Sequence, residues 1–186
     1  MRRFFIAIPL PLEIGERLYD MTPEGEGIRA VPIGNHHLTL RFLGELSESS
    51  FGEVRDALEE VEFPRLELRF QGVGFFPQGG RPKVLWAGVA PLAPLSALQK
   101  TVDKALSGCR LSLEKRPFVP HITLARLENA DDGELAVFLK AHHAWEAPGF
   151  PAHSITLFES RPGGKGPRYE PVAEYRLGSL MDFLLE

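Results

Sequence analysis

Two short segments of the chain alternate polar and apolar residues in the same way. In HLTL (37–40) a histidine and a threonine alternate with two leucines, and HITL (121–124) repeats the pattern. Side chains alternate between the two faces of a β-strand, so the apolar pair of each segment can enter a core while the histidine and threonine share the other face. The pattern predicts strands at 37–43 and 121–127, each with a histidine and a threonine on its polar side.

These segments belong to a longer repeat. His37 and His121 are 84 residues apart, and the same offset relates the glycine pairs at 79–80 and 163–164. Two matching motifs, each followed by a matching turn, indicate duplication. We therefore interpret residues 1–186 as a single domain with an internal duplication, its His-x-Thr-x motifs at 37–40 and 121–124.

Each repeat unit continues with a helical pattern and then with two strand patterns around the glycine turn. The first helical segment opens on a serine N-cap, predicted at Ser47, Ser49 or Ser50. Outside the units, a strand at 2–8 leads to a short helix that ends near Tyr19, and 94–106 is an amphipathic helix. Within the units, helices are predicted in 47–61 and 131–144, and strand pairs at 65–76 with 83–89 and at 152–160 with 168–177.

The order of these elements predicts an α+β fold. We expect a bilobal protein of two lobes related by a pseudo-twofold axis, each a mostly antiparallel sheet with helices on its outer face. The active cleft would lie between the lobes, where the two histidine strands can face each other.

Composition narrows the classes of protein. A single cysteine, Cys109, excludes an internal disulfide framework and a thiolate zinc site. Pro9 and Pro11 interrupt the apolar run near the N-terminus, and no segment has the ~20 apolar residues that span a bilayer. We expect a cytoplasmic protein without a membrane partner. The net charge of −4 argues against sequence-independent duplex binding but leaves room for a small anionic substrate.

Two imidazoles on either side of one anion suit acid–base displacement at phosphorus. A neutral histidine accepts a proton from the attacking oxygen, and a protonated one donates to the leaving oxygen. Thr39 and Thr123 would donate hydrogen bonds to the non-bridging oxygens as negative charge develops. A single histidine of this kind is more often a satisfied core residue, but its repetition beside threonine favours a shared catalytic site of His37 and His121.

Other site chemistries lack their signatures. No HExxH or His-x-His pattern occurs, and neither motif contains Asp or Glu, so we expect no metal ion. A serine hydrolase would need a nucleophile elbow, which is missing. The glycine pairs in GGRPK and GGKGP are typical of turns and do not match the patterns of nucleotide-binding loops. We therefore expect no cofactor.

The two motifs resemble those of the two-histidine (2H) phosphoesterases. Further segments are similar to the bacterial and archaeal RNA 2′,3′-cyclic phosphodiesterases, also called 2′-5′ RNA ligases: RRFFIAIPLP, HHLTLRFLGEL, RPKVLWAGV, RPFVPHITLAR and ITLFESRPGGKGPRYEPVAEY. The resemblance implies hydrolysis of a terminal 2′,3′-cyclic phosphate to a 2′-phosphate, with 2′-5′ ligation in some relatives. It also implies that His37 is the proton donor, that His121 is the proton acceptor and that Arg126 contacts the phosphate.

The sequence leaves open the orientation of Arg126 and the choice of substrate. Strict alternation from His121 places Arg126 on the opposite face, so a bulge or a twist must redirect it. Phe42 and Phe118 are expected in the core, and Arg116 is expected to brace its loop. RNA ends or small cyclic nucleotides are the expected substrates of a monomer. The alternatives are a phosphodiesterase acting on other small cyclic phosphates or 2′-5′ oligonucleotides, and a non-catalytic module that binds a nucleotide or an RNA end.

Overall fold

The computed structural model describes residues 2–113, 116–164 and 166–178. The strands in this part of the chain are β1 Arg2–Pro9, β2 Ile28–Ala30, β3 His37–Leu46, β4 Leu66–Gln78, β5 Arg81–Ala90, β6 His121–Leu127, β7 Glu146–Ala152, β8 Ser154–Arg161 and β9 Arg168–Arg176. The helices are α1 Leu12–Met21, α2 Glu48–Glu59, α3 Leu92–Ala105 and α4 Asp132–His142.

All described strands join one antiparallel sheet in the order β7-β4-β5-β6-β3-β1-β8-β9, with β2 paired to β6 beside the end of β3. The two histidine strands, β3 and β6, are neighbours at the centre of this order. They pair at a single position, Leu38 opposite Ile122, and both of these side chains are fully buried. The sheet therefore has two halves joined by one short contact.

The apolar side chains of the sheet and the helices form one core. Leu38, Leu40, Ile122 and Leu124 belong to the same buried cluster as residues of α2, α3 and α4. The helices consequently cover the sheet face opposite to the histidines, which leaves the polar face of β3 and β6 uncovered by helix. The predicted α+β class is confirmed.

Elements separated by 84 residues correspond in kind. The Ser47 side chain caps α2 by accepting a hydrogen bond from the amide of Ser50, and Asp131 caps α4 through the amide of Glu134. These two caps are themselves 84 residues apart, and Ser47 is one of the three predicted serines. The correspondence supports the interpretation of an internal duplication, which stays a prediction.

The predicted repeat units do not coincide with the two halves of the sheet. The β4–β5 hairpin follows the first motif in sequence, yet β5 pairs with β6, which carries His121. The β8–β9 hairpin follows the second motif, and it joins β3 through β1. Each half therefore combines the histidine strand of one unit with the hairpin of the other, so that the halves are intertwined.

Two strands were not predicted. β7 has the sequence EAPGFPA, and its Pro148 and Pro151 interrupt any strand pattern. It lies at the edge of the sheet, where proline is tolerated because one side of the strand needs no hydrogen-bond partner. β2 has three residues, too few for a periodicity to be recognised. No helix among the described residues is long and apolar enough to cross a membrane.

Candidate active site

The central strand pair brings the two motifs together. Because β3 and β6 are antiparallel and Leu38 lies opposite Ile122, the residues flanking this pair also face each other across the strands. His37 then lies across from Thr123, and Thr39 lies across from His121. The four predicted polar residues thus form one group on the helix-free face.

Both histidine rings are held by the backbone in the same way. The Nδ1 atom of His37 is 2.8 Å from the carbonyl oxygen of Asn35, and that of His121 is 2.7 Å from the carbonyl oxygen of Val119. A carbonyl oxygen only accepts, so Nδ1 of each ring donates. The Nε2 atom of each neutral ring is consequently the one free to accept a proton.

Aromatic side chains surround both rings. The ring of His37 lies 4.8 Å from Phe5 and 5.0 Å from Tyr169, between ring centroids. The ring of His121 lies 4.7 Å from Phe76 and 6.3 Å from Trp86. These contacts fix the orientation of the imidazoles and remove water from their sides.

Burial among these side chains changes the titration of the histidines. Burial is the largest of the causes that together lower the pKa of His37 to about 4; the backbone hydrogen bond to Asn35 raises this pKa, and the nearby His121, His36 and Arg126 lower it. Burial and then Arg126 also lower the pKa of His121 below its usual value. Burial therefore favours the uncharged form of both rings.

A bulge in β6 places Arg126 on the same face as the histidines. Trp86 pairs with Thr123 and the preceding Leu85 pairs with Ala125, so Leu124 is an extra residue in β6. Leu124 and Ala125 both point into the core, and Arg126 returns to the polar face. The redirection expected from the sequence is thus present, and Arg126 lies close enough to affect the pKa of both histidines.

The polar groups of the site are available to a ligand. Within the described residues, the hydroxyls of Thr39 and Thr123 make no hydrogen bond, and Arg126 makes neither a hydrogen bond nor an ion pair. Two neutral donors and one cation therefore lie on the face that carries the two imidazoles. This arrangement suits a phosphate group.

The expectation that Phe42 lies in the core is wrong. β3 contains the same bulge as β6, with Leu40 as its extra residue, so Phe42 turns to the histidine face and pairs with Phe5. Its side chain is 56% exposed. The offset of 84 offered a signal for this position, because it relates Phe42 to Arg126. Phe118, by contrast, is partly buried against the core, as expected.

Neighbouring polar residues have structural roles. Arg41 turns away from the histidine face and donates from Nε to Asp103 of α3 at 2.6 Å. His36 is buried, with its Nδ1 atom 3.2 Å from the carbonyl oxygen of Ile33, which indicates a structural role. In the described part of the chain, no group of three or more His, Cys, Asp or Glu side chains could hold a metal ion.

A pair of His-x-Thr motifs related across one strand contact, with an arginine beside them, defines a two-histidine phosphoesterase. Comparison with known proteins agrees with this class. The profile of the 2′-5′ RNA ligase superfamily matches residues 30–164. The chain therefore belongs to the 2′-5′ RNA ligase superfamily.

Relatives resemble the chain over nearly its whole length. An RNA 2′,3′-cyclic phosphodiesterase of Aeropyrum pernix is 34% identical over 83% of this chain and 89% of the relative. One of Thermus thermophilus is 31% identical over 94% and 90%. The crystal structure of E. coli LigT complexed with 3′-AMP superposes with a TM-score of 0.77 and 27% identity, covering 96% of this chain and 99% of that one.

The environment of His37 predicts an unusual titration. In the free protein, histidine NMR signals should show His37 gaining a proton only near pH 4, because burial disfavours the charged ring. Sulfate, a phosphate mimic, should raise this pKa, since an anion between the rings stabilises the imidazolium. A titration of His37 at or above pH 6.5 without sulfate, or no response to sulfate, would contradict this description of the site.

Proposed function

We propose that this protein is an RNA 2′,3′-cyclic phosphodiesterase that hydrolyses a terminal 2′,3′-cyclic phosphate to a 2′-phosphate. The observation that carries the proposal is the paired arrangement of His37 with Thr123 and of His121 with Thr39 around one space. The relatives from Aeropyrum pernix and Thermus thermophilus carry this activity in their names, which supports the same reaction here.

The reaction needs two proton transfers on opposite sides of phosphorus. The Nε2 atom of His121 accepts a proton from water as the water oxygen forms a bond to phosphorus. The bond between phosphorus and O3′ breaks, and Nε2 of a protonated His37 donates its proton to that oxygen. The product carries a 2′-phosphate and a free 3′-hydroxyl, and the two histidines exchange protonation states.

The substrate itself prepares His37 for this role. Because burial holds the pKa of His37 near 4, the free protein has little imidazolium at neutral pH. The negative charge of the cyclic phosphate favours the protonated ring, so that the acid forms in the complex. Donation from Thr39 and Thr123 and the charge of Arg126 stabilise the additional negative charge on the non-bridging oxygens in the transition state.

The same residues suit a second nucleophile in place of water. A 5′-hydroxyl in the position of water, deprotonated by His121, would open the cyclic phosphate to give a 2′-5′ linkage. This step consumes no nucleotide cofactor, because the cyclic ester supplies the activated phosphate. We propose 2′-5′ ligation as a second activity of this site, in line with the name of the superfamily.

The product identifies the reaction. A cyclic-phosphate-ended oligonucleotide incubated with the protein in EDTA should give a single new phosphorus NMR signal, that of a 2′-phosphate monoester. His37→Ala and His121→Ala should each lower kcat by roughly 10² to 10⁴, the span of a general acid or base. His142→Ala, on α4, is the matched control.

Three results would argue against the proposal. A 3′-phosphate product would show that O2′, and not O3′, is the leaving oxygen. Turnover at the wild-type rate by either histidine variant would contradict the assignment of His37 and His121 as an acid–base pair. Binding of the cyclic phosphate without turnover by the wild-type protein would favour a non-catalytic binding module.

Phe42 is predicted to support the nucleobase. Its exposed ring lies on the histidine face at the end of the site beyond Thr39 and His121. Stacking of one base on an aromatic ring contributes about 1–3 kcal/mol, so Phe42→Leu should raise KM for a nucleoside 2′,3′-cyclic phosphate by about tenfold, with a smaller change in kcat.

An abasic substrate separates stacking from structural damage. Phe42→Leu should affect ribose 2′,3′-cyclic phosphate without a base much less than it affects the nucleoside. Val137→Ala, which truncates another exposed apolar side chain, is the control variant. An equal loss on both substrates would show that Phe42 supports the fold of the site and not the base.

A further inference from the structure

Two arginines lie directly opposite each other at one end of the site. β2 pairs with β6 in a register that places Arg29 across from Arg126. Residues directly opposite on antiparallel strands project from the same face, with Cβ atoms about 4.5–5.5 Å apart. Since the bulge at Leu124 puts Arg126 on the histidine face, Arg29 projects from that face as well.

A neighbouring ion pair supports this orientation. The Arg29 guanidinium lies 3.4 Å from the carboxylate of Glu128, which is two residues beyond Arg126 and therefore on the same side of the strand. Both members of the pair are about two-thirds exposed. An ion pair as exposed as this one contributes little, so Arg29 is free to exchange Glu128 for another anion.

The arrangement is unfavourable without a ligand. Like charges directly opposite in a sheet repel each other, and the described residues offer Arg126 no carboxylate to offset its charge. An anion that contacts both guanidinium groups removes the repulsion. Arg29 lies on the same edge of β6 as His37 but two paired rows further along the strand, so a phosphate between the histidines offsets the charge of Arg126 more than that of Arg29.

We infer that Arg29, together with Arg126, binds a second phosphate, the one carried by the 5′ oxygen of the nucleoside that bears the cyclic phosphate. This inference rests on the proposed function. The Arg29–Arg126 pair lies two paired rows along β6 from His37 and Thr123, about 7 Å at the usual rise of a strand. Arginine suits this ligand because its planar guanidinium matches the oxygens of phosphate.

The geometry of ribose agrees with this position. The carbon that carries the base and the carbon that leads to the 5′ oxygen lie on opposite sides of the 2′ and 3′ carbons. Phe42 and the Arg29–Arg126 pair likewise lie at opposite ends of the site, because β3 and β6 leave the central contact in opposite directions. In this orientation O3′ points toward the end of the site where His37 lies.

The test compares three substrates in the wild type and in Arg29→Gln. These are adenosine 2′,3′-cyclic phosphate, the same nucleotide with a 5′-phosphate, and a dinucleotide that ends in the cyclic phosphate. Arg29→Gln should lower kcat/KM by about tenfold on the two substrates with a 5′-phosphorus group, and by far less on the first. With the dinucleotide, the slope of log kcat/KM against log salt should fall by about 0.7, the value of one single-strand phosphate contact.

Two further variants sharpen the comparison. Arg55→Gln removes an arginine that is similarly exposed and also paired with a carboxylate, that of Asp56, and should change none of the three reactions. Glu128→Gln removes the carboxylate that competes for Arg29, and it should raise kcat/KM on the two substrates with a 5′-phosphorus group. The opposite signs of Arg29→Gln and Glu128→Gln exclude a general loss of folding.

The outcomes separate the sources of the second phosphate. A loss confined to the dinucleotide identifies the internucleotide diester as the ligand, and a loss confined to the 5′-phosphorylated mononucleotide identifies the monoester. Equal losses on all three substrates, or no loss on any, would overturn the inference. Calorimetric binding of adenosine 2′-phosphate and adenosine 2′,5′-bisphosphate gives the same comparison without turnover, so failure of the proposed reaction would be recognised separately.

Discussion

The site depends on the single contact between β3 and β6 at Leu38 and Ile122. Both side chains are fully buried, and no other pair joins these strands in the described residues. Because the strands are antiparallel, this one pair sets the position of both histidines and both threonines. A slip of either strand by one residue would turn its histidine and its threonine into the core, so the buried apolar pair also specifies the register. The chemistry of the polar face is thus held in place by the packing of the opposite face.

A second constraint is the bulge at the last residue of each motif. Leu40 and Leu124 are extra residues in their strands, and each shifts the alternation by one position. The shift sends Arg41 and Ala125 to the helix side and brings Phe42 and Arg126 to the site. The two ends of the site differ as a result, one aromatic and one cationic, although the same offset of 84 relates Phe42 to Arg126. A nucleotide is itself aromatic at one end and anionic at the other.

Local patterns in the sequence predicted most elements of the fold and the four central residues. The His-x-Thr alternation indicated both strands, and the serine before α2 indicated its cap. Strict alternation failed at Phe42, because a bulge has no signature in the polar and apolar pattern of one strand. The strand β7 was not predicted, because its two prolines are unusual in strands other than those at a sheet edge. The pairing of each hairpin with the histidine strand of the other unit depends on contacts between residues far apart in sequence. The periodicity within one segment carries no information about such contacts.

The central claim is that each histidine transfers a proton at a different oxygen. A substrate with sulfur in place of O3′ tests it most directly, because a thiolate leaves without protonation far more readily than an alkoxide. Turnover of this cyclic phosphorothiolate should restore most of the activity that His37→Ala loses on the oxygen substrate, whereas His121→Ala should stay impaired by roughly 10² or more. Equal rescue of both variants, or no rescue of His37→Ala, would contradict the assignment of His37 as acid and His121 as base.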